Sequence, residues 1–129
     1  MNKQLSSLKP ALSIDMKHNL IRIHKATLSA LGNPKYIQLL INPDDKCIVI
    51  MEGHSKDKLA HQVRYEKIQK GQSFELYSTI LLQNLLSISD HCETMKAYRI
   101  YGVYHQEHNV IKFPIKNCIQ YGTERTLNG

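Results

Sequence analysis

Arg22 and Lys25 stand three residues apart in a chain of 129 residues with formal charge +6. A guanidinium grips a phosphate or a base edge through two parallel N–H donors, and a lysine adds a compact point charge. If Arg22 points away from Ile21 and Ile23, the pair offers that chemistry where a strand runs into a helix. Lys17 and Lys35 are placed to extend the surface. A polyphosphate or an acidic protein would suit it as well as a nucleic acid. The plainer reading is a solvated strand face with a lysine at a helix start.

The charge is unevenly spread. Through residue 70 there are twelve Lys/Arg against six Asp/Glu, and from 71 onward five of each, so the whole excess belongs to the first part. Localised positive charge attracts polyanions and is rewarded by counterion release.

Other reactive residues form no recognisable set. His91, His105 and His108, with Cys92 beside the first, invite a metal test, yet no His-Glu-x-x-His or paired Cys-x-x-Cys pattern completes them. Cys47, Cys92 and Cys118 are odd in number and widely spaced, which predicts three small buried or half-buried thiols rather than a disulfide framework. There is no Gly-x-Ser-x-Gly elbow and no phosphate-cradling glycine loop. Tyr98, Tyr101 and Tyr104 share a strand but not a face, so they make no stacking platform. The chain reads as a non-enzyme with no catalytic set, no metal site and no cofactor.

These residues must be held by short elements. Leu20–His24 alternates as a strand, and Lys25–Leu31 follows as a two-turn helix stopped by Gly32-Asn33-Pro34. Tyr36–Ile41 and Cys47–Met51 flank the turn signal Asn42-Pro43-Asp44-Asp45-Lys46, predicting an antiparallel hairpin. Residues 1–18 read as an irregular lead or a short edge strand. Residues 54–72 read as a polar connector, a loose helix or extended crossing punctuated by Leu59, Val63 and Ile68. The order then recurs. Ser73–Tyr77 is a strand, and Ser78 caps a helix over Thr79–Ile88. Lys96–Tyr104 is a long strand, His105–Asn109 a turn and Val110–Ile115 the return. The expected organisation is a basic unit over 1–53, the connector over 54–72 and a neutral unit over 73–129, each unit too small to enclose a core alone.

The segment Leu20–Gly32, with the hairpin after it, resembles the swapped-hairpin domain of AbrB-like transition-state regulators and MazE-type antitoxins. The tandem arrangement resembles the MraZ proteins. The resemblance implies an α+β, β-rich fold of tandem swapped-hairpin units forming a small barrel, usually across a dimer. It also implies binding of double-stranded DNA through basic residues on and near the first strand, here Lys17, Arg22 and Lys25. The sequence departs from the family where Lys17-His18-Asn19 replaces the usual Gly-Arg and Ile23-His24 the usual Ile-Pro. The expectation is a cytoplasmic, dimeric DNA-binding transcriptional regulator. The alternative is a non-enzymatic protein-interaction or structural module of phage or mobile-element origin. The start Met1–Ser7 has no apolar run behind it, and no stretch reaches the roughly 18 apolar residues of a membrane span, so neither secretion nor membrane insertion is expected.

Overall fold

The computed structural model describes residues 9–68 and 73–121. Parts of all three predicted segments, including Leu5, Leu8 and Lys70-Gly71-Gln72, lie outside the described residues. In chain order the elements are β1 (Ala11–Asp15), β2 (Leu20–Ile23), helix α1 (Lys25–Ala30), β3 (Tyr36–Asn42), β4 (Cys47–Glu52) and β5 (His61–Gln62). They continue as β6 (Phe74–Tyr77), helix α2 (Thr79–Ile88), β7 (Ala97–Tyr101), β8 (Val103–His105), β9 (Val110–Pro114) and β10 (Ile119–Tyr121).

The strands form two antiparallel five-stranded sheets, in the orders β10-β7-β1-β2-β6 and β5-β3-β4-β9-β8. A single closed barrel is not what the described residues show: no ladder joins the first sheet to the second. The β-rich α+β class stands.

Alternation sets the faces. In the first sheet Leu12, Ile14, Ile21, Ile23 and Ile100 point inward and are almost fully buried. They meet Ile37, Ile48, Ile50, Ile111 and Phe113 of the second sheet in one core, which Leu28 of α1 and Leu82 and Leu85 of α2 complete. Both helices have the expected signals. Gly32, just past α1, adopts φ +86, the left-handed conformation that ends helices. Ser78 Oγ accepts the Leu81 N–H at 3.2 Å, capping α2.

The predicted long strand is β7 and β8 in succession, and Gly102 is where it leaves the first sheet for the second. A side chain there would strike the core: a Cβ would lie 2.6 Å from Phe113 Cε2 and 2.8 Å from Ile111 Cγ2. Only glycine lets the strand turn this close to the ring.

Three hairpins repeat one turn geometry. The β1–β2, β3–β4 and β8–β9 turns each end on a residue in the left-handed region, Asn19 (φ 53), Lys46 (φ 51) and Asn109 (φ 51). In the middle one, Asn42 Oδ1 accepts the Asp44 and Asp45 amides at 3.0 and 3.2 Å, as its composition predicts.

The two predicted units share both sheets rather than dividing them. Strand β2 pairs with β6, β1 with β7 and β4 with β9. One reading needs correction. The lead segment supplies β1, a central strand flanked by β7 and β2, not an edge. It is central because Leu12 and Ile14 face the core while Thr27 Oγ1 clamps Ala11 from α1, donating to its carbonyl at 2.7 Å and accepting its N–H at 2.9 Å. Of the two readings of the connector, its described residues 54–68 follow the extended crossing: β5 adds an edge to β3, Val63 is buried, and a 3-10 turn follows at Tyr65–Lys67.

Candidate nucleic-acid interface

Register places a polar row across the outer face of the first sheet. Arg99 pairs with Ser13, Ser13 with Arg22, and Arg22 with Glu75. Arg22 does face away from Ile21 and Ile23, but its guanidinium is engaged. Nε donates to Glu75 Oε2 at 3.0 Å, with the side chains 39% and 46% exposed. Partial burial works against the arginine's charge, and the hydrogen bond and charge of Glu75 more than offset it. An ion pair this exposed contributes on the order of 0–1 kcal/mol to stability.

A cleft of about 610 Å³ opens beside this pair, lined by Arg22, Gln62, Arg64, Lys67, Ile68, Ser73, Phe74 and Glu75. A second, of about 360 Å³, shares Ile68 with it and is lined by Lys25, Leu28, Ser29, Asn33 and Tyr65. Tyr65 fixes the boundary by donating its hydroxyl to the Pro34 carbonyl at 2.5 Å. Arg22, Lys25, Arg64 and Lys67 therefore converge on adjoining clefts, with Glu75 as the acid lining them among the described residues.

The four sequence-derived candidates separate here. Arg22 and Lys25 line adjoining clefts, whereas Lys17 projects from the β1–β2 turn and Lys35 precedes β3, both exposed and outside the two linings. Arg64 and Lys67 were not among the candidates. Their signal was present as Arg64-Tyr65-Glu66-Lys67, two cations about an aromatic, but it lies in a stretch that reads as connector.

His24 reports the local potential. Its Nε2 lies 2.9 Å from Ser13 Oγ, and its pKa is held below 6.5 by burial first, then by the charges of Arg99 and Arg22. The unfolded chain thus binds a proton that the folded chain resists. His24 contributes full stability above about pH 6.5, and the contribution is lost as pH falls from there toward the depressed folded value. His61, lowered by burial alone, acts in the same direction. The urea midpoint is expected to fall between about pH 7.5 and pH 5.5, and His24→Gln to flatten part of that fall. Identical profiles for the two proteins would show that His24 carries no such linkage.

Elsewhere the histidines and cysteines group differently from the sequence expectation. His105 and His108 share the β8–β9 turn, with the His108 N–H on the His105 carbonyl at 3.3 Å. His91 instead meets Cys118. Among the described residues no three or more His, Cys, Asp or Glu side chains are arranged to hold a metal ion. No helix among them is long and apolar enough to cross a membrane.

No family model, curated protein or solved structure matches the chain.

Proposed function

We propose that the chain is a DNA-binding transcriptional regulator that grips duplex phosphates along the two adjoining basic clefts. The observation that carries this reading is the convergence of Arg22 and Lys25 with Arg64 and Lys67, from separate stretches of chain, around Ile68. Two guanidiniums and one ammonium in the larger cleft, with a second ammonium in the adjoining one, suit a polyanion better than a single small anion. Lys17 and Lys35 take a peripheral share as electrostatic guides.

The finer architecture belongs to the same proposal. Strand-helix-hairpin units that exchange strands, β2 with β6 and β4 with β9, fit a tandem swapped-hairpin arrangement packed as two sheets. The proposal includes a homodimer in the cytoplasm, for which the second sheet offers exposed apolar side chains at Leu40 and Val103.

Fluorescence anisotropy with a mixed-sequence duplex tests the function. Binding is expected at low salt, falling with a clear log-salt slope. The Arg22→Gln/Lys25→Gln pair should weaken it by roughly 10- to 100-fold and flatten the slope by about 2. Absence of duplex binding at low ionic strength overturns the reading.

A second reading has its own support. Glu75 already occupies Arg22, and Tyr77 and Ile80 stand 72% and 74% exposed at the β6–α2 junction. A protein-interaction module would use that apolar surface and tolerate loss of the cleft cations. One stoichiometric partner whose binding survives the double substitution would favour it.

A further inference from the structure

Cys92 follows α2, and Cys118 lies just before β10, 26 residues away in sequence. Their Sγ atoms stand 3.5 Å apart, and the Nε2 of His91 is 3.2 Å from Cys118 Sγ. Both loops are fixed by hydrogen bonds. Ser89 Oγ accepts the amides of His91 and Cys92 at 3.2 and 2.8 Å, and the Cys118 N–H binds the Ile115 carbonyl at 3.0 Å. Both thiols are half-buried, whereas Cys47 is buried and belongs to a separate apolar cluster on the second sheet.

We propose that Cys92 and Cys118 are a thiol–disulfide exchange site, oxidised by a low-molecular-weight disulfide such as oxidised glutathione, with His91 as the proton acceptor. In the first step the Cys92 thiolate attacks one sulfur of the small disulfide, forming a mixed disulfide and releasing one small thiol. In the second, His91 Nε2 takes the Cys118 proton, and the Cys118 thiolate attacks Cys92 Sγ and expels the second small thiol. The protein loses two electrons and two protons, and one small disulfide becomes two small thiols.

The order of attack follows from the surroundings. Burial first, and then the contact with Cys92, pushes the Cys118 thiol up to about 12. Cys92 is therefore the first to attack; in the adduct, burial still holds the proton on Cys118, and the base at hydrogen-bond distance that takes it is His91. Closing the bridge ties the end of α2 to the start of β10, the edge strand that pairs with β7 beside Arg99.

The test uses the full chain, reduced and then equilibrated under native conditions with oxidised glutathione, alkylated and mapped by mass spectrometry. The expected product is a monomeric chain lighter by two hydrogens, with a Cys92–Cys118 cross-linked peptide and Cys47 still a thiol. Cys118→Ser should halt at a Cys92 glutathione adduct. His91→Asn should slow closure from that adduct by roughly tenfold or more, while the first step keeps its rate. A stable glutathione adduct in the unsubstituted protein, or bridges only between chains, overturns the site. Unchanged closure in His91→Asn overturns the role of the histidine.

Discussion

Replacing Phe113 with alanine is expected to remove about 3–5 kcal/mol of stability, a large share of the roughly 5–15 kcal/mol available to a domain of this kind. The ring is fully buried. It sits in the cross-strand row with Ile48 and Ile41, and its edge fills the space that Gly102 leaves open. Truncation therefore opens a cavity at the point where one strand passes between the sheets. The surroundings cannot collapse into it without moving that bend. Urea unfolding checks this, with a lower midpoint at unchanged slope as the expected result. Ile119→Ala, at a side chain 56% exposed, serves as the neutral comparison. A Phe113→Ala midpoint close to that of Ile119→Ala would mean the ring does not hold the sheets together.

Glu75→Gln is expected to do the opposite of most substitutions in a binding face and strengthen duplex binding. It removes the acid from the larger basic cleft and releases Arg22 to meet a phosphate. Arg22 then meets its phosphate without first giving up a carboxylate, which raises affinity at low salt by about tenfold while the log-salt slope stays near that of the unsubstituted protein. Stability should change by less than about 1 kcal/mol, because the lost ion pair is well exposed. The measurement is anisotropy over a salt series, with a urea curve on the same preparation. Unchanged or weakened duplex binding in a folded Glu75→Gln protein would remove Arg22 from the proposed interface.

How far the sequence foretold this molecule depends on the range of each interaction. The β3–β4 hairpin and both helix limits were legible because their determinants are local: Asn42 bonding amides two and three residues on, Gly32 past α1, Ser78 before α2. Strand β1 was misjudged because being central depends on Ile100 and Tyr98, more than 80 residues later, and alternation alone does not name a neighbour. The three residues of β10 carry no pattern long enough to read, and their place is set by β7. The cleft was half legible. The outward direction of Arg22 follows from the period of a strand. Its union with Glu75, 53 residues on, and the arrival of Arg64 and Lys67 depend on the course of a segment whose composition shows only polarity. The Cys92–Cys118 meeting is likewise tertiary, since neither spacing nor flanking residues announce it.

The pairing of β4 with β9 also governs the order in which the molecule is completed during synthesis. Cys47-Ile48-Val49-Ile50-Met51 is an uncharged run of high strand propensity, and one of its edges is covered only by Val110–Pro114. At about 5–20 residues per second, translation of the roughly 60 residues between them takes on the order of 3–12 seconds. Throughout that interval the nascent β3–β4 hairpin presents a bare apolar edge, the template on which strands of other chains add. Its protection comes late, from a strand encoded well downstream, so this ladder closes only once β9 has been made.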